Sequence, residues 1–121
     1  EWNEKGIKIS EGNYSRGLRD GLWIGWYDNG SKQGEVTWQN GKEEGLWIIW
    51  HQNGEKMREV QWVDGKRNGN CQEWYNNGSK KLEGKWKNGY KDGKWEYWYD
   101  DGRKIKEEIH EGGQMKIEKW F

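Results

Sequence analysis

Residues recur along this chain with a period of 24, and that recurrence constrains its fold more than any other feature. Trp2, Trp26, Trp50, Trp74 and Trp98 share one column. Gly6, Gly30, Gly54, Gly78 and Gly102 fill a second, and Gly17, Gly41, Gly65, Gly89 and Gly113 a third. Lys8, Lys32, Lys56, Lys80 and Lys104 make a fourth, and Glu11, Glu35, Glu59, Glu83 and Glu107 a fifth. Other columns drift: Trp23, Trp47, Cys71, Trp95; Tyr27, His51, Tyr75, Tyr99; and Tyr14, Trp38, Trp62, Trp86, His110. The spacing is unbroken from Glu1 to about Gly113, so the chain is one repeat array with units at about 1–20, 21–44, 45–68, 69–92 and 93–116. Residues 117–121 form a terminal strand or cap.

Each unit carries its own instructions for β-structure. The second unit holds two Asn-Gly dipeptides, Asn29-Gly30 and Asn40-Gly41. Asn-Gly between β-like runs marks a hairpin, because a type I′ turn needs φ > 0 at both central residues. Between the turns lie runs rich in Trp, Tyr, Val and Ile. Glycines every 11 or 13 residues leave no helical stripe. The expected fold is all-β: an elongated, twisted antiparallel meander of about ten strands built from two-strand units.

Two-residue loops at both turns would pair Trp23 with Val36, Gly21 with Trp38, Gln39 with Lys42 and Gly34 with Trp47. Paired residues share a face. One face then carries Trp23, Tyr27, Val36 and Trp38, and the other Leu22, Ile24, Trp26, Gln33, Glu35 and Thr37. A one-residue bulge at either turn would exchange the faces.

Composition limits what such a sheet can do. Hydrophobic residues are 31% and charged residues 35% of the 121, with a mean hydropathy of −1.47, values that alone would suit disorder. Twelve tryptophans argue otherwise. Eleven of them sit in repeat columns, and each ring hides about 150–250 Å² when buried. Basic and acidic residues balance at 21 each, which leaves no electrostatic footprint for nucleic acid. The single cysteine, Cys71, forms no internal disulfide and no metal motif. No apolar run reaches the roughly 18 residues of a membrane span, and no signal peptide is visible. A soluble protein is expected, with the cytoplasm favoured over export. The start at Glu1-Trp2, mid-unit and without an initiator Met, is expected of a processed protein or of a piece of a longer array.

The segment Gly84-Lys-Trp-Lys-Asn-Gly-Tyr-Lys-Asp-Gly-Lys-Trp-Glu-Tyr-Trp-Tyr-Asp-Asp-Gly102 resembles the MORN repeat, in the bacterial variant of YwqK-type antitoxin-like proteins. Trp38–Trp47 and Trp62–Gly69 match the same frame, and the resemblance spans nearly the whole chain. It weakens after Gly113, where Ile117 replaces the expected glycine. The resemblance implies a twisted antiparallel sheet with aromatic residues along a groove, and a role in protein interaction, scaffolding or dimerisation. Lipid association is proposed for some eukaryotic members, and the antitoxin association holds for a subset.

Three sets of residues compete as sites. The glutamate column looks like paired carboxylates for acid–base work, but its members lie two strands apart, about 10 Å. Every unit has one, so pairing with cross-strand lysine is the better reading. His51 and Cys71 lie in neighbouring strands on one expected face, where contact is conceivable, yet no third group is evident to orient them. The aromatic face remains: Trp23, Tyr27, Trp38, Trp47, His51, Trp62, Tyr75, Trp86, Trp95 and Tyr99. A single sheet cannot bury both faces, and exposed rings rimmed by polar groups mark a contact surface.

The sequence therefore points to a non-catalytic interaction or scaffolding module without metal or cofactor, its partner a protein, with self-association through sheet edges as one form of it. The alternatives are an aromatic repeat module for carbohydrate or choline, and an immunity-type protein that neutralises a toxin. A non-periodic cluster of polar residues would favour an enzyme, and none is apparent along the chain.

Overall fold

The computed structural model describes residues 9–121. They form one open antiparallel sheet. Its strands are β1 (Ser10–Ser15), β2 (Leu18–Trp26), β3 (Lys32–Gln39), β4 (Lys42–Glu43), β5 (Gly45–Trp50), β6 (Lys56–Val63), β7 (Lys66–Trp74), β8 (Lys80–Lys87), β9 (Tyr90–Trp98), β10 (Lys104–Glu111) and β11 (Gln114–Trp120). They follow one another in chain order across the sheet, with β4 pairing β3 beside the main path. β4 and β5 are two halves of one strand position, so the meander has the expected ten positions. Substantial contacts join only strands that are neighbours in the sheet. Among the described residues no helix is long and apolar enough to cross a membrane.

The two kinds of turn differ. At Asn40-Gly41 both residues have positive φ, 52° and 78°, and Gln39 pairs with Lys42, as a two-residue type I′ loop requires. Arg16-Gly17, Asp64-Gly65 and Asn88-Gly89 repeat this geometry. The other turn is longer than expected. The Tyr27 N–H donates to the Ser31 carbonyl and the Gly30 N–H to the Tyr27 carbonyl, which leaves a three-residue loop with Gly30 at φ 87°. An Asx turn stabilises it, the Ser31 N–H donating to Asn29 Oδ1 at 2.9 Å.

A longer loop should have moved every side chain of the strand to the opposite face. A second irregularity cancels the shift. Gly25 pairs with Gly34 but Trp26 pairs with Lys32, so Gln33 bulges out and the expected partners Trp23–Val36 and Gly21–Trp38 are restored. Gly34, however, pairs with Ile49 and not with Trp47. Two extra residues enter the strand beside Gly45, whose φ is 78°; Gly21, Gly69 and Gly93 hold the same left-handed region at equivalent positions. A two-residue shift keeps the side-chain parity. The expected faces therefore survive, and of the expected pairs named above it is Gly34–Trp47 that needed correction.

The bulges also explain the lysine and glutamate columns. Residues three apart on a regular strand point to opposite faces. The bulged residue between them brings each lysine onto the face of its glutamate within one strand, and Glu107 also makes the cross-strand pairing the sequence suggested, its Oε1 lying 3.5 Å from Lys94 Nζ. Nζ–Oε distances are 2.6 Å for Lys32–Glu35, 2.5 Å for Lys56–Glu59, 3.0 Å for Lys80–Glu83 and 2.5 Å for Lys104–Glu107. Three of these lysines also lie over the next unit's tryptophan, Trp50, Trp74 or Trp98, at 5.6–5.7 Å. Lys104 lies 5.3 Å over Phe121. In the last hairpin Ile117 stands where the bulge glycine belongs, and the shift is one residue instead of two. That lost residue brings Phe121, one position short of the tryptophan column, into the tryptophan's place: its N–H donates to the Ile105 carbonyl as that of Trp26 does to Ile9.

The core is thin. Among the described residues Val60, Cys71 and Trp95 are the buried apolar ones, with Trp62, Leu82, Trp86 and Tyr97 packed against them.

Candidate binding groove

These seven side chains share the face predicted to carry the aromatic rings. There they border a partly open groove of about 380 Å³, lined on its other side by Trp47, Ile49, Arg58, Arg67, Glu73 and Lys91. A second hollow continues it past Trp47 and Ile49 to Val36, Trp38, Trp23 and Arg19.

The groove borders one departure from the repeat. Trp23, Trp47 and Trp95 are ring-bearing members of a column in which the remaining unit has Cys71. Two of the three rings are accommodated by a glycine: a Cβ at Gly84 would fall inside the Trp95 indole. Gly12 relates to Trp23 in the same way. At Cys71 the ring is missing, and the buried side chain lines the groove beside Val60 and Leu82. Burial raises the Cys71 thiol pKa, which makes it a packing residue and a poor nucleophile.

Ring stacking ties the walls together. Trp47 and Trp62 lie 4.9 Å apart at 37°, Trp38 and Trp47 6.0 Å apart at 57°, and Trp86 meets Trp95 edge-on at 5.1 Å. Trp23 and Trp95 satisfy their indole N–H groups on the Asn13 and Lys85 carbonyls, each at 3.0 Å. Among the described residues the buried indole N–H groups of Trp47 and Trp62 have no acceptor, and that of Trp86 points toward the Cys71 thiol without a hydrogen bond of normal geometry. Cations cover several rings. Arg67 lies 3.9 Å from the Trp86 centroid and 5.9 Å from that of Trp62. Arg19 lies 4.8 and 5.2 Å from Trp23 and Trp38, and Lys91 4.9 Å from Trp95.

The ten aromatic-column residues thus fall into two groups. Trp23, Trp38, Trp47, Trp62, Trp86 and Trp95 line the groove or its walls. Tyr27, His51, Tyr75 and Tyr99 sit at the long turns. Tyr27 Oη donates to the Trp50 carbonyl at 2.6 Å and Tyr75 Oη to the Trp98 carbonyl at 2.7 Å. His51 Nε2 makes the same link to the Trp74 carbonyl at 3.0 Å, and a carbonyl only accepts, so Nε2 carries the proton. These side chains clamp one unit to the next. Tyr99 is 48% exposed and stands under Arg103. No hydrogen bond among the described residues joins His51 to Cys71, so the conceivable dyad is not assembled.

The structure also gathers a group that the sequence reading missed. At the far end of the groove Glu108, 6% exposed, occupies the column of Val36, Val60 and Gly84. Its Oε1 accepts from Tyr97 Oη at 3.0 Å and from His110 Nε2 at 2.9 Å; its Oε2 lies 2.8 Å from Lys106 Nζ. Lys91 donates to Tyr97 Oη at 2.8 Å. This is a non-periodic polar cluster, contrary to the expectation that there is none. Its members come from β9 and β10, and the signal available in the sequence was a carboxylate in an apolar column. Burial pushes the Glu108 carboxyl up, but the hydrogen bonds from His110, Lys106 and Tyr97 and the charge of Lys91 outweigh it and hold it at about 2. Tyr97 is pushed well up by burial and by its bond to that carboxylate. A carboxylate so fully bonded is a strut closing the groove's end; it has no free oxygen with which to act as a base.

The family model of the MORN repeat variant matches three times, at residues 19–40, 43–64 and 67–88, together more than half the chain. Each match starts at the residue column of Arg19, Glu43 and Arg67 and spans one hairpin with its long turn. Such repeats are non-catalytic modules generally associated with binding to proteins or membranes. No curated protein matches the chain. One hairpin per match, stacked edge to edge in register, is the architecture described above, and on both grounds the chain belongs to the MORN repeat family in its variant form.

Proposed function

We propose that this chain is a non-catalytic binding module that receives an extended segment of a partner protein in the groove over Cys71. The observation that carries the reading is the groove of about 380 Å³ between tryptophan walls, bordered by Cys71 where the repeat column otherwise carries a ring, of a size and character suited to apolar side chains. Four Trp and two Arg are among the lining residues, types that are enriched among the residues carrying binding energy at protein interfaces. Two Trp donors without acceptors suit an occupant that brings carbonyl oxygens. A quaternary ammonium ligand is less suited, because protein cations already lie over Trp23, Trp38, Trp86 and Trp95.

The test is affinity capture from the source cells with the chain and with Cys71→Trp, which restores the repeat's ring and fills the slot. Tyr75→Phe, at the distant turn, serves as control. A protein held by the parent chain and by Tyr75→Phe but lost by folded Cys71→Trp supports the reading. A partner retained by all three would place binding elsewhere on the sheet.

A further inference from the structure

The groove is lined by more cations than carboxylates, and two of the cations are unclaimed. The charged residues around the Cys71 slot are Arg58, Arg67, Glu73 and Lys91, and in the continuing hollow Arg19 is the charged one. The chain as a whole is neutral, so this excess is local. Arg58 is paired with Glu73 at 3.1 Å. Lys91 is bonded to Tyr97 and lies 3.8 Å from Glu108. Arg19 and Arg67 have no carboxylate partner among the described residues; each is held over tryptophan rings. A guanidinium positioned over an indole keeps N–H donors in its plane for a carboxylate, in a fork that binds it bidentately.

Resting on the groove reading above, we propose that the groove selects an acidic extended segment, with one carboxylate at Arg19 and another at Arg67. Both arginines occupy the same repeat column, on β2 and β7, four strand steps apart in the sheet. At about 4.8 Å per step they are about 19 Å apart, the length of about six extended residues. Trp38, Trp47 and Trp62 lie between them and receive the intervening apolar side chains. Glu43 interrupts the cation column between the two arginines. That interruption favours discrete carboxylates on a peptide over a uniformly anionic surface such as a membrane.

The probe is a fluorescein-labelled peptide of about twelve residues, with two glutamates about six apart in a Leu/Ser background. It is compared with a peptide carrying glutamine at both sites, by anisotropy titration of the whole chain. The glutamate peptide should bind, the glutamine peptide about ten-fold or more weakly, and Arg19→Gln and Arg67→Gln should each weaken the glutamate peptide about ten-fold. The exposed-lysine variant Lys66→Gln/Lys87→Gln, equal in total charge change to both arginine variants together, should bind as the parent does. Equal binding of the two peptides, abolished by Cys71→Trp, would overturn acidic selection and leave the groove reading standing. Binding insensitive to Cys71→Trp would overturn both. Absence of binding by either peptide overturns the proposal. So does capture by phosphatidylserine-containing vesicles that depends on Arg67 when the glutamate peptide fails to bind.

Discussion

Cys71 and Val60 face each other across β6 and β7, one 3% and the other 5% exposed, and together they floor the groove. In the neighbouring units this position carries an indole. The protein therefore keeps its repeat geometry here while withholding one ring at a position that lines the groove.

The Cys71 thiol should be masked in the folded chain. Buried and with its pKa raised, it should react with a thiol reagent at neutral pH only as fast as the sheet opens, and rapidly in guanidinium. Fast labelling without denaturant would contradict the packing described for β7.

Gly84 should tolerate no side chain. Its φ is not in the left-handed region, so the effect of Gly84→Ala is steric: the added methyl meets the Trp95 ring. A loss of about 1–3 kcal/mol is expected, read from the denaturant midpoint. Gly89→Ala, with nothing near its Cβ but φ at 88°, tests strain without that clash.

Acid should weaken the array through Glu108. Its carboxyl is held at about 2 in the folded chain against an ordinary 4.5, so folding favours the charged form. That contribution, of order 3 kcal/mol, is present in full above about pH 5 and is lost as the pH falls toward 2. Glu83 and Glu107, also lowered by their hydrogen-bond partners, act in the same direction. Urea titrations between pH 7 and pH 3 should show a shallower slope for Glu108→Gln than for the parent; an unchanged slope would remove Glu108 from this role.

The turn clamps should be separable from the groove. Tyr75→Phe leaves the Trp98 carbonyl without its donor and should cost about 1 kcal/mol, and Tyr27→Phe a similar amount at Trp50. The two sites are 48 positions apart in chain, so their effects should add. Tyr99→Phe removes a hydroxyl that clamps no further unit and should be close to neutral. Melting curves of the three single variants and the Tyr27/Tyr75 double variant decide this.

Much of this protein was legible in its sequence, because a repeat states the same local instruction several times. Asn-Gly placed the turns, although the loop at Asn29-Gly30 is one residue longer than a tight turn, and alternation placed Trp23, Val36 and Trp38 on one face. Those are local properties, set by allowed φ and by strand pleat. The sequence by itself thus determined an all-β meander of hairpins and the face that carries the rings. The bulges at Gln33 and Gly45 were decided only in three dimensions, since a register is a property of two strands and depends on where both hydrogen-bond ladders close. The same holds for the split of the aromatic columns. Tyr27 and Trp23 are four residues apart on one strand reading, yet the longer turn sends the tyrosine to clamp Trp50 while the tryptophan stays in the groove. Glu108, Tyr97, His110, Lys91 and Lys106 share no motif, and only the pairing of β9 with β10 brings them together. The groove itself belongs to the tertiary structure. It is a hollow among side chains from β5 to β9, and an empty space has a position only once the side chains around it have been packed.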